Sequence, residues 1–153
     1  MTIALFGIDS EISHRQQSTI QQLVSHRRLT PAQKERLAAV VKKFPAQNFL
    51  TMTALDAESW DFVMEIGAEL RQNGWNWIAC DGPLPKVLPM DGRPASCWTV
   101  LDHIEVDGAR AKGDIVHALV AALKDAATIG MDDARPVITE AFPTIAIMVG
   151  TKR

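Results

Sequence analysis

Apolar positions along this chain change period several times, from three or four residues to two and back, and each change marks an element. In LTPAQKERLAAVVKKF, residues 29–44, Leu37, Val40, Val41 and Phe44 fall on one helical face. Thr30 is placed as N-cap, Pro31 suits the first helical position, and Gln33 completes a capping box. Lys42 and Lys43 sit where the helix dipole favours cations, and Pro45 stops the helix. QNFLTMTA, residues 47–54, then reads as a strand. Asp56 caps a second helix over about 57–73, with Glu58 in its first turn. Its stripe is Phe62, Val63, Ile66, Gly67 and Leu70, widened by Trp60 and Met64. Gly67 lets this helix approach a sheet closely, and Gly74 ends it. WNWIAC follows at once as a second strand, so the region reads as a parallel, right-handed βαβ unit.

Residues 81–96, DGPLPKVLPMDGRPAS, hold four prolines and two Asp-Gly pairs and read as a long irregular loop. Loops of that length in compact domains are usually functional or mobile. CWTVLDHIEV, residues 97–106, reads as a third strand, with Cys97, Thr99 and Leu101 on one face and Trp98, Val100 and Asp102 on the other. A third helix is expected over about 109–129, burying Ile115, Leu119, Ala122, Leu123 and Ala126 and ending at Gly130. PVITE and TIAIMVGTK close the chain as two strands around Ala141-Phe142-Pro143.

The order α-β-α-β-β-α-β-β gives an α/β or α+β fold, with a four- or five-stranded, partly parallel sheet packed by two or three helices. A ferredoxin-like sandwich is the alternative. Residues 29–153 read as a single domain, and 1–28 as an N-terminal helical or linker segment. Within it, EISHRQQSTIQQLVSHRR, residues 11–28, is polar and rich in Gln, with a thin stripe of Ile12, Ile20, Leu23 and Val24. That stripe suggests weak pairing with a second copy, a homodimer.

One domain is also the natural count for 153 residues, and 47% apolar with 22% charged residues is ordinary for a globular protein. A net charge of -2 gives no electrostatic reason to expect a nucleic-acid partner, since the basic cluster His26-Arg27-Arg28 is short. No run approaches the ~18 to 20 apolar residues that span a bilayer. Cys80 and Cys97 are the only cysteines and no secretory signal is visible, so reduced, buried thiols in a cytoplasmic setting are expected.

Candidate chemistry is sparse. Trp75 and Trp77 point to one face of their strand, where packing beneath helix 57–73 outweighs a stacking platform for a ligand. Asp81-Gly82 follows the carboxyl end of a parallel strand, where ligands of open α/β sheets bind, although Asp-Gly is also a common turn. His103, beside Asp102, would form a Cys–His dyad if Cys80 or Cys97 came near it. Trp75, Trp77, Asp81 and His103 are therefore the candidate ligand-binding residues. Four scattered histidines, no metal-ligand spacing at either Cys and no phosphate-binding or nucleophile motif leave no catalytic residue, metal site or cofactor to nominate. Asp132-Asp133 reads as a solvated turn.

The run RRLTPAQKERLAAVVKKF, a short strand, DAESWDFVMEIGAELRQNGWNW and the closing TIAIMVGTKR together resemble a soluble domain of uncharacterised bacterial proteins. The likeness covers roughly residues 27–153 and departs at Thr151-Lys152-Arg153, where a Pro often ends the motif. It implies no known activity. In many such proteins the domain follows transmembrane helices. A helix of that kind before MTIALFGI would leave Arg15, Arg27 and Arg28 on the side positive residues prefer, facing the cytoplasm. The expectation is a non-enzymatic α/β module that binds a partner protein or small ligand. A small enzyme with a site at the strand ends near the 81–96 loop, and a homo-oligomeric scaffold, are the alternatives.

Overall fold

A computed structural model describes residues 27–81, 84–89, 91–124, 134–142 and 144–152. Most of the 11–28 pairing segment, together with Gly130 and Asp132-Asp133, lies outside the described residues. The elements are α1 (Pro31–Lys43), β1 (Asn48–Thr53), α2 (Ala57–Gln72), β2 (Asn76–Trp77), β3 (Lys86–Val87), β4 (Ser96–Trp98), β5 (Ile104–Gly108), a 3-10 turn (Arg110–Lys112), α3 (Gly113–Leu123), β6 (Ala134–Ile138) and β7 (Ile145–Val149).

Local chemistry caps α1 and α2 as the sequence predicts, whereas α3 is shorter than the expected 109–129: a 3-10 turn precedes it and the backbone is already extended at Lys124. The Thr30 hydroxyl accepts from Gln33 N–H while the Gln33 side-chain oxygen accepts from Thr30 N–H, closing the capping box. Gln33 does more than cap. Its side-chain amide donates to Leu123 O at the end of α3, and Arg36 donates to Ala122 O and Lys124 O. Carbonyls that α3 leaves unpaired at its C-terminus are thus satisfied by α1, and a cation sits at that helix end. Asp56 caps α2 by accepting from Ser59 N–H.

The sheet has seven strands rather than four or five, two of them only two residues long. Its order is β3-β4-β1-β7-β5-β6, with β2 also paired to β1. This is a mixed α/β sheet, and a β-α-β-β-α-β sandwich does not describe it. β1 runs parallel to β2, β4 and β7, whereas β5 runs antiparallel to β7 and parallel to β6. The two strand-helix-strand halves thus each place parallel neighbours around a helix, β1-α2-β2 and β5-α3-β6.

All three helices bury their stripes in one cluster. Leu37, Val40 and Val41 of α1, Phe62, Ile66 and Leu70 of α2, and Ile115, Leu119 and Leu123 of α3 meet Phe49, Ile104, Val106, Ile145, Ile147 and Val149 of the sheet. Gly67 is needed there: a Cβ on it would lie 2.6 Å from the Trp77 ring. The opposite sheet face carries a smaller cluster of Leu50, Met52, Ala146, Met148 and the two cysteines.

One expected strand does not form as a unit. The predicted strand 97–106 is broken at 99–103. Thr99 N–H still bonds Thr53 O, but Leu101 O and His103 O then accept from Thr151 and Gly150 beyond β7. The chain therefore crosses the carboxyl ends of β1 and β7, so β4 and β5 join different parts of the sheet. A side chain at Gly150 would meet the Leu101 carbonyl at 2.5 Å, which is why the crossing can lie so close. Arg27 is buried. Its guanidinium pairs with Glu58 at 2.7 Å and donates to Gly150 O.

Candidate functional site

One edge of β1 is shared by two short strands in series. β2 takes the first half, with Asn48 opposite Asn76 and Phe49 opposite Trp77; β4 takes the second, with Met52 opposite Cys97 and Thr53 opposite Trp98. The chain after β2 stays extended, since Ile78 N–H bonds Phe49 O and Cys80 N–H bonds Ala95 O. This brings Cys80 beside Cys97 with Cα atoms 5.5 Å apart, and the two form a disulfide. The expected reduced thiols are therefore corrected. Their meeting depends on the register of two strands along β1, which periodicity within either strand does not report. With both sulfurs bonded, the Cys–His dyad is also excluded.

Between the cysteines, the excursion turns back on itself. β3 pairs antiparallel with β4, Lys86 opposite Cys97 and Val87 opposite Ser96, and Trp98 N–H bonds Pro85 O. The adjoining segments at this corner of the sheet carry exposed apolar residues. Leu84 and Leu88 flank β3, Trp98 ends β4, Val100 begins the crossing, and Leu55 lies just past β1; all five are exposed, Leu88 by 75% and Val100 by 89%. They are five of the six exposed large apolar residues among the described ones, Ile138 being the other. All five lie on or beside β3, β4 and the end of β1, which pair with one another.

Two cavities flank Trp60 at this corner. One, of about 200 Å³, lies between the end of β1 and the start of α2, lined by Ala54, Leu55, Asp56, Ala57, Trp60 and Val87. The other, of about 400 Å³, holds Trp60 and Met64 beside two ion pairs, Arg28–Glu65 at 3.3 Å and Arg93–Asp91 at 3.0 Å. A third, of about 520 Å³, sits elsewhere, between the end of α1 and Gly74. The Trp60 indole N–H is buried with no hydrogen-bond partner. Burial raises the Asp56 pKa, but hydrogen bonds from Ser59 and Thr151 and the Arg27 charge outweigh it and hold the group below the usual carboxylate range.

The four residues nominated from sequence do not converge. Trp75 and Trp77 are buried, 2% and 5% exposed. Trp75 Nε1 donates to Phe44 O, Trp77 Nε1 donates to Thr51 Oγ1, and Trp77 stacks on Phe49 at 5.8 Å. They pack the core, as the burial reading anticipates. Asp81 is exposed, one residue past the disulfide. His103 lies on the far sheet face, its ring 2.9 Å from Glu105 and 3.2 Å from Asp102. None of the four lines any of the three cavities.

His103 begins a polar row that sequence reasoning missed. By alternation, Glu105 and Asp107 lie on the face opposite Ile104 and Val106. Asp107 is 4% exposed, and its Oδ1 has no partner. Burial first, then the hydrogen bond with Glu105 and its negative charge, push the Asp107 pKa up to about 8. The signal was the spacing H-x-E-x-D, hidden because 97–106 read as one strand. Among the described residues no group of three His, Cys, Asp or Glu side chains is placed to hold a metal ion. No family model, no curated protein and no solved structure matches this chain.

Proposed function

We propose that this domain is a non-catalytic module that binds a partner protein through the apolar corner of Leu55, Leu84, Leu88, Trp98 and Val100. The observation that carries this reading is that five large exposed apolar side chains lie on or beside paired strands, with the polar residues Lys86, Asp91 and Arg93 in the same segments. An apolar centre with a polar rim is the anatomy of a protein interface. A protein is favoured over a small ligand by size. The cavity at the corner holds about 200 Å³, below the roughly 300–1,000 Å³ of small-molecule sites. The larger one beside it has two of its cations already paired. The partner's matching chemistry is an aliphatic or aromatic segment.

The small-enzyme alternative is less favoured because His103, Glu105 and Asp107 line none of the three cavities and both thiols are bonded. The cytoplasmic placement expected from sequence rested in part on free thiols, and the disulfide withdraws that part of its support. Among the described residues no helix is long and apolar enough to cross a membrane.

Site-specific photo-crosslinking in the source cell tests the proposal. A crosslinker at position 88 is expected to give a discrete adduct, and one at position 34, on the exposed side of α1, none. The purified partner should then bind Leu88→Glu and Val100→Glu at least about tenfold more weakly, with melting temperature unchanged. Equal adducts from both positions, or undisturbed binding, would overturn it.

A further inference from the structure

We infer that the Cys80–Cys97 disulfide is the device that assembles the apolar corner, so that this surface forms in an oxidising environment and is lost when the pair is reduced. Its functional meaning rests on the partner-binding reading above; the structural claim stands without it.

Backbone pairing alone holds the corner weakly. β1 has five register pairs with β7 on one edge, but only two with β2 and two with β4 on the other. β3 adds two more pairs, and only to β4. The excursion between the cysteines carries four prolines, each lacking a backbone donor, and no helix residue belongs to the cluster around the sulfurs. The disulfide supplies what these pairings lack. It ties the extension of β2 directly to β4 and closes a loop between positions seventeen apart, restricting the unfolded alternatives of that loop. Leu84 and Leu88 lie inside the loop; Trp98 follows Cys97 directly.

The device acts when the fold is made. Cys80 is 4% exposed and Cys97 not at all, so a reducing thiolate reaches the bond only after local opening. In forming it, two thiols lose two protons and two electrons to a disulfide oxidant, such as oxidised glutathione, which becomes two thiols. Such bonds persist in oxidising compartments.

Hydrogen exchange on the full chain, read by mass spectrometry, tests this without any partner. The oxidised protein is compared with Cys80→Ala/Cys97→Ala. Amides of 84–99 are expected to exchange roughly tenfold faster or more in the variant, while those of α2 and β7 keep their protection. Unchanged protection of 84–99, or equal loss throughout a folded chain, would overturn the inference. If the variant does not fold, the wild-type chain refolded with and without oxidised glutathione gives the same reading. A reduced chain with native protection at 84–99 overturns the inference, and one that is less protected there than the oxidised chain while α2 and β7 keep their protection supports it. Loss of the crosslinked partner with this exchange pattern intact would sink the docking surface and leave the disulfide's role standing.

Discussion

Alternate side chains of β7 face two differently built interiors. Ile145, Ile147 and Val149 point into the cluster that all three helices cover; Ala146 and Met148 point into the smaller one around the disulfide. All five are buried. The first interior is held by apolar area contributed from distant helices. The second is held by a covalent bond, a few aliphatic contacts and the polar row of β5. Burial is similar on the two faces, yet what would be lost on opening them differs, and so does what a sequence can announce.

The comparison is broken most directly by truncating neighbours on β7. Ile147→Ala should cost about 2–5 kcal/mol, because packed helices cannot collapse to fill the space. Met148→Ala should cost clearly less, near the lower end of that range, since its cluster is small and loop-lined. Urea denaturation of both variants at one pH measures the difference. A loss at 148 equal to that at 147 would remove the distinction between the faces.

A second variant sharpens it on the helix side. Gly67→Ala places a methyl 2.6 Å from the Trp77 ring. That ring is stacked on Phe49, hydrogen-bonded to Thr51 and covered by the Arg71 guanidinium at 5.3 Å, so it has little room to yield. The expected cost is about 1–3 kcal/mol, with a shift in tryptophan emission. A neutral result would mean that α2 can lift from the sheet without penalty.

The same contrast separates what was legible from what was not. The helix-packed face is written locally: Thr30 and Gln33 are three residues apart, Asp56 meets Ser59, and the stripes repeat every three or four residues. Gly67 and the burial of both tryptophans follow from those patterns. On the other face every decisive contact is distant. The disulfide needs the register of β2 and β4 along β1. The break after Thr99 has no Gly or Pro to announce it, because contact with Gly150, remote in sequence, causes it. Once that break was missed, the alternation of 103–107 could not be recognised as a separate row. The apolar corner is illegible for a related reason: leucines among prolines fit neither period, and a residue that fits no period looks like loop rather than surface.

The polar row is tested by pH dependence. The Asp107 carboxyl keeps its proton up to about pH 8 in the folded protein, whereas in the unfolded chain it releases it near 3.8, the ordinary value for an Asp. Folding therefore binds a proton between those values, and wild-type stability from this group is fully present below about pH 4 and lost as pH rises through 8. The groups facing Asp107 support that sign. Glu105 and His103 share its strand face, Ala146 on β7 is uncharged, and Arg135 on β6 stands opposite Glu105 rather than Asp107. Asp107→Asn cannot ionise. Its melting temperature relative to wild type should hardly differ near pH 4, rise with pH, and level off above 8. A wild type that instead gains on the variant as pH rises would show that Asp107 is buried as a carboxylate. The far face would then be stabilised by charge, and its resemblance to the helix-packed interior would be smaller still.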